Sequence, residues 1–154
     1  MPDSPASASV TIRRSAGDLY DLVTDVAGMG RFSPECTGGH WLDGATGPAV
    51  GARFKGTNRR GFARWSTVNR VVAAEPGRVF SFETDGSGAR WTYRFEPAGD
   101  GATVVTESRE MFRKRPATAT FFATLFLGGT RSHDDEMDRG LLATLERIKA
   151  HAEG

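Results

Sequence analysis

From Thr37 to Met111 apolar and polar residues alternate in short runs, and turn residues separate the runs. A period of two broken by Gly, Pro and Asp predicts an antiparallel sheet. The runs are 39–43, 52–58, 63–72, 79–84, 89–96 and 103–111, and the middle connections are short enough for hairpins. Ahead of them, Val10 to Ile12 reads as one more strand. Ser15 and Asp18 then place a capping hydroxyl and a carboxylate at the start of a helix whose apolar face is Leu19, Leu22, Val23 and Val26. Gly28 and Gly30 end it, and Met29 to Pro34 reads as a short second helical turn. Beyond Arg115 the helical period returns. A short apolar helix is expected from Ala119 to Leu127, and a long one from about Arg131 to Ala150 with the stripe Met137, Leu141, Leu145 and Ile148. This order predicts an α+β domain with one antiparallel sheet, two short helices after strand 1, and one long helix to cover a sheet face.

Alternation also indicates which side chains meet. On 89–96, Trp91, Tyr93 and Phe95 share the inner face, against Arg90, Thr92, Arg94 and Glu96. Phe80 and Phe82 share a face, as do Phe54, Gly56 and Asn58, and Trp65, Thr67, Asn69 and Val71. The last strand leaves the choice open: Val105, Glu107 and Arg109 alternate with Val104, Thr106 and Ser108. If the first set faces inward, an acid and a base line the interior. Gly140 and Thr144 fall on the apolar side of the long helix, where a glycine costs about 1 kcal/mol relative to alanine. Small residues facing a sheet leave room for a guest, so a cavity is expected between sheet and helix.

Composition constrains this picture mainly by exclusion. The 154 residues suit one domain, expected over 9–153 behind a disordered tail at 1–8. Cys36 is the single cysteine, which rules out an internal disulfide. Twenty basic against 19 acidic residues give no global attraction to nucleic acid or anionic lipid. Locally the balance fails. No acid occurs between Asp43 and Glu75, while Arg53, Lys55, Arg59, Arg60, Arg64 and Arg70 do. The plainer reading of that run is a solvated outer sheet face. Nucleic-acid or protein binding through Arg53 to Arg70 is the weaker alternative. The chain shows no signal-peptide pattern and its longest apolar stretch is about half the ~20 residues that cross a bilayer, so no membrane span and a cytoplasmic location are expected. The stretch Ala119 to Leu127 is apolar nearly all round and would cap the cavity or form a homodimer contact.

Several stretches, taken in order, resemble one family. They are Val10-Thr-Ile-Arg-Arg-Ser-Ala-Gly-Asp-Leu-Tyr-Asp-Leu-Val23; Met29-Gly-Arg-Phe-Ser-Pro34, with Phe32 where tryptophan is common; and Val50-Gly-Ala-Arg-Phe54. Ala74-Glu-Pro-Gly-Arg78 before Phe80-Ser-Phe82, Trp91 to Pro97, and Gly101 to Ser108 complete the set. Together they resemble the SRPBCC superfamily, also called START-like or helix-grip, and within it the polyketide cyclase/dehydrase and lipid-transport group. The resemblance implies a seven-stranded curved antiparallel sheet gripping a long C-terminal helix around an apolar cavity. It also implies that Glu107 and Arg109 face inward. It transfers no catalytic set.

Glu107 is the candidate acid/base, because an apolar setting raises a carboxyl pKa toward neutrality. A structural ion pair with Arg109 is the plain alternative. The candidate ligand-lining residues are Phe32, Phe54, Asn58, Trp65, Phe82, Trp91, Tyr93, Arg109 and Phe122. His40, His133 and His151 form no cluster with metal-ligand spacing, and Cys36 and His40 only flank a turn. No metal and no cofactor are expected. The expected function is binding of a small hydrophobic, lipid- or polyketide-like molecule. The alternative is a cyclase or dehydratase using Glu107.

Overall fold

The computed structural model describes residues 6–33, 36–111 and 130–154, with side chains in the last segment from residue 139 on. The helix expected from Ala119 to Leu127, its Phe122 and the homodimer contact assigned to it lie outside the described residues.

Seven strands form one antiparallel sheet: β1 (Ala6–Ile12), β2 (Cys36–Trp41), β3 (Arg53–Arg60), β4 (Ala63–Glu75), β5 (Val79–Thr84), β6 (Ala89–Gly99) and β7 (Ala102–Met111). The spatial order is β1-β7-β6-β5-β4-β3-β2, so β2 to β7 run as a meander and β1 pairs with its last strand. Between β1 and β2 come α1 (Ala16–Thr24) and a 3-10 helix (Val26–Arg31), and α2 (Thr130–Glu153) closes the chain. This is the expected helix-grip architecture.

One boundary needs correction. β1 begins at Ala6, within the stretch read as a tail: Ala6, Ser7 and Ala8 pair with Arg109, Ser108 and Glu107 of β7. Small alternating residues carry no apolar period, and the free edge of β7 supplies the backbone partners instead. The capped helix forms as expected, with Ser15 Oγ accepting from the Asp18 amide at 3.2 Å. It ends at Thr24, earlier than the glycines, and the 3-10 helix then lies on β2. That approach requires Gly30 and Gly39. A Cβ on Gly30 would meet the Thr37 carbonyl oxygen at 2.9 Å, and one on Gly39 would meet the Val26 carbonyl oxygen of the 3-10 helix at 3.3 Å.

Edge-to-face rings organise the inner sheet face. Trp41 meets Phe54 at 5.4 Å between centroids, Phe54 meets Phe82 at 5.0 Å, and Tyr20 of α1 meets Phe95 at 6.0 Å. Leu141, Leu145, Ile148 and Ala152 of α2 are buried against this face. The C-terminal end of α2 is tied to β1, where Lys149 Nζ donates to the Thr11 carbonyl at 2.6 Å and Glu153 accepts from the Arg13 amide at 2.9 Å.

Candidate ligand cavity and its buried carboxyl

Between the inner sheet face and α2 lies a cavity of about 290 Å³. Its wall is mainly apolar: Val26, Met29, Phe54, Trp65, Phe82, Trp91 and Leu141. Two features of the sequence make the space. Gly39 of β2 and Gly56 of β3 are direct cross-strand partners, so neighbouring strands lack side chains there. On the opposite wall Gly140 and Thr144 present small groups from α2, as their placement on its apolar side predicts. Half-buried Asn58, Trp65 and Ser87 mark its rim at the end where the β3–β4 and β5–β6 hairpins turn.

Of the expected lining residues, Phe54, Asn58, Trp65, Phe82, Trp91, Tyr93 and Glu107 come together around this space. Phe32 and Arg109 do not. Phe32 is buried, but its ring packs edge-on against His151 of α2 at 5.4 Å, beneath the Arg31 guanidinium at 4.9 Å. It holds the 3-10 helix to α2 instead of facing a guest. Arg109 is buried on the inner face, and one of its guanidinium nitrogens donates to Met111 Sδ at 3.4 Å. Thr67 and Asn69, which the sequence offers beside Asn58 and Tyr93 as hydrogen-bonding groups for a ligand, also belong to the lining, as do Gly140 and Thr144, while Cys36 joins it without having been expected there. Alternation with Trp65 points to Thr67. Nothing in the local pattern points to Cys36, which reaches the cavity because β2 is bulged between it and Gly38.

The polar groups of the wall divide into satisfied and unsatisfied. Asn69 is fully engaged. Its Oδ1 accepts from Thr84 Oγ1 at 2.7 Å, and its Nδ2 donates to Thr67 Oγ1 at 3.3 Å and to the Phe54 carbonyl at 3.4 Å. Glu107 is not. It stands directly opposite Tyr93 on the β6–β7 ladder, is 4% exposed, and shares a side-chain hydrogen bond with the Tyr93 hydroxyl. Its Oε1 has no partner among the described residues. Burial pushes the carboxyl from 4.5 up to about 8, and the Tyr93 hydrogen bond holds it partly down. Burial, with the neighbouring Glu107 charge, drives the Tyr93 hydroxyl well above its usual 10. The Cys36 thiol is likewise raised by burial, which makes it a poor nucleophile. At neutral pH the pair is therefore an uncharged acid and an uncharged phenol. Glu107 belongs to the cavity wall, and its Oε1 is closed off from solvent without a partner among the described residues. Among the described residues no group of three His, Cys, Asp or Glu side chains converges on a metal position. No helix among them is long and apolar enough to cross a membrane.

The basic run from Arg53 to Arg70 does not form one free strip. Arg53 Nε and a terminal guanidinium nitrogen bond Asp43 at 2.9 and 2.7 Å, and Arg70 pairs with Glu83 at 3.3 Å.

A curved sheet gripping a helix around an apolar cavity defines a ligand-binding type of fold. Comparison with known families agrees: residues 6–153 match the polyketide cyclase / dehydrase and lipid transport family, and the chain belongs to it. Among solved structures it is 34% identical to a polyketide-cyclase-like protein of Corynebacterium glutamicum, covering 99% of this chain and 94% of that one, with a TM-score of 0.62. The Zhui aromatase/cyclase of a Streptomyces species shares the fold at a TM-score of 0.75 and 14% identity, over 97% of this chain and 93% of that one. A major latex-like protein of Panax ginseng does so at 0.66 and 15% identity, covering 97% of each chain. A search of curated proteins finds no match.

Proposed function

We propose that the chain binds a small hydrophobic, lipid- or polyketide-like molecule carrying an acceptor oxygen, in the cavity between sheet and α2. One observation carries this reading: the Oε1 of a buried, uncharged Glu107, without a partner among the described residues, in a mainly apolar wall. A buried donor left unmade costs roughly 1–3 kcal/mol, which a ligand oxygen would recover. Asn58 and Thr67 offer further polar contacts near the rim, and Trp65, Trp91 and Phe82 supply flat apolar surface. The volume lies near the lower end of ordinary ligand pockets, about 300–1,000 Å³, which suits two or three fused rings or a short acyl chain.

A matched pair of probes tests this. Fluorene and 9-fluorenone share a tricyclic frame and differ by one ketone oxygen. Quenching of Trp65 and Trp91 fluorescence reports their binding. The ketone is expected to bind about tenfold more tightly than the hydrocarbon, and Glu107→Leu is expected to erase that preference. Failure of both probes to bind, or an unchanged preference in the variant, contradicts the reading.

The same carboxyl supports a second reading, acid/base catalysis of cyclase or dehydratase type on a polyketide-like substrate. An acid that titrates about one unit above neutrality can give a proton to a carbonyl under attack and take one back. In that case Glu107→Gln retains binding of the substrate and loses turnover by about 100-fold or more. Retained turnover excludes Glu107 from the chemistry.

A further inference from the structure

The β3–β4 ladder carries facing arginines near both of its ends. Far from the hairpin turn, Arg53 lies opposite Arg70. Each has its own carboxylate, Asp43 and Glu83. Near the turn, one pair in from Arg60 and Ala63, Arg59 lies opposite Arg64, both exposed. Among the described residues no carboxylate pairs with either. The Arg59 side chain instead donates to the Gly61 carbonyl at 3.3 Å. Like charges directly opposite one another weaken a ladder. The outer end is neutralised within the chain, and the turn end is left for an anion from outside.

The turn itself consists of Gly61 and Phe62. Gly61 has φ 59°, as the first position of a type II′ hairpin turn demands. That turn puts Phe62 at the crest, 107% exposed. Single exposed apolar residues are ordinary. A phenylalanine at a hairpin crest, with an arginine pair two ladder steps below that no carboxylate among the described residues neutralises, makes an apolar point with a cationic collar. Its place matters too, because Asn58 and Trp65, the next pair down the ladder, line the cavity rim.

We propose that the β3–β4 hairpin tip docks the protein on an anionic lipid bilayer. Phe62 enters the boundary between headgroups and acyl chains, and Arg59 and Arg64 meet lipid phosphates. The docked orientation brings the cavity rim against the membrane. Use of that orientation for ligand transfer rests on the cavity reading above, whereas the docking itself does not. Nucleic acid fits the tip less well. Single-strand binding uses several aromatic faces beside the cations, and Trp65 is turned into the cavity, leaving Phe62 alone on the outer side.

The test is flotation of the full chain with vesicles of phosphatidylcholine alone or with 30% phosphatidylglycerol, in 0.05 and 0.5 M NaCl, beside a filter-binding assay with poly(U). The chain is expected to float with the anionic vesicles at low salt, and to be lost from them at high salt and from the neutral ones. Phe62→Ser is expected to cut partitioning about fivefold or more. Arg59→Glu with Arg64→Glu is expected to abolish it. Unchanged melting and unchanged 9-fluorenone affinity show that the variants remain folded with the cavity intact. Absence of binding to anionic vesicles, binding that both variants retain, or binding to poly(U) in place of vesicles overturns the proposal. Docking that fails while 9-fluorenone still binds leaves the cavity reading standing, and the reverse result leaves docking standing.

Discussion

Glu83 of β5 and Glu107 of β7 are strand carboxylates of the same sheet, on opposite faces, and their surroundings differ in kind. Glu83 is 14% exposed at its side chain and lies between two guanidiniums: Arg90 approaches at 2.6 Å and Arg70 at 3.3 Å. Arg90 also reaches Glu110 at 3.0 Å, which extends the outer face into a ladder of alternating charge. Glu107 has a phenol for its partner and an oxygen with none among the described residues. Around Glu83 the outer face completes its electrostatics within the chain, unlike the Arg59–Arg64 pair near the β3–β4 turn. The inner face leaves one carboxyl oxygen without a partner among the described residues at the wall of a mainly apolar space, and the proposed ligand-binding function rests on that difference.

The largest expected effect separates these two acids by pH. Glu107 binds its proton more tightly folded than unfolded, with its pKa moved from 4.5 to about 8. The folded state therefore holds the extra proton between those values, and stability falls as pH rises through that window. A shift of that size corresponds to roughly 5 kcal/mol in full. Urea unfolding of the wild type from pH 4.5 to 9 should show this loss, and Glu107→Gln should flatten it. Equal slopes in the two proteins would remove the distinction between the faces.

Tyr93→Phe sharpens the comparison next. It deletes the hydrogen bond that holds the Glu107 carboxyl down, leaves a second oxygen without a partner, and should cost about 1–3 kcal/mol at neutral pH. The alkaline end of the stability loss should move to higher pH, and a titration that stays in place would show that the phenol does not act on the acid. Gly140→Ala should gain up to about 1 kcal/mol in helix propensity while weakening 9-fluorenone binding. A gain with no change in binding would mean that the glycine supplies no space. The smallest effect belongs to Glu83→Gln, expected at about 0.2–1 kcal/mol. It should shrink further in 0.5 M NaCl and leave probe binding untouched.

Much of the inner face was legible because its side chains are large and strictly alternate. Trp91, Tyr93 and Phe95 declare their side of β6 by themselves. β7 does not: Val105, Glu107 and Arg109 face inward only because Tyr93 and Glu107 are partners in register, a long-range pairing that no local period encodes. The cavity was legible from α2 through Gly140 and Thr144. Its second source, the Gly39–Gly56 pair, was hidden because each glycine falls within its own strand run, and only the long-range register sets the two opposite each other. Phe32, a candidate lining residue that stands where the family often has tryptophan, instead packs edge-on against His151 at the end of the 3-10 helix. The start of β1 was missed for a related reason. Ala6 to Ser9 have no apolar signal, and an unpaired strand edge 100 residues away recruits them through backbone hydrogen bonds.

The central claim, an uncharged Glu107 facing the cavity, is open to direct titration. Carbon-13 NMR of the glutamate carboxyl carbons, with the Glu107 resonance assigned by its loss in Glu107→Gln, reads its protonation. The account predicts a midpoint near 8, moving higher when 9-fluorenone is bound. A midpoint near 4.5, unmoved by the ketone, would contradict it.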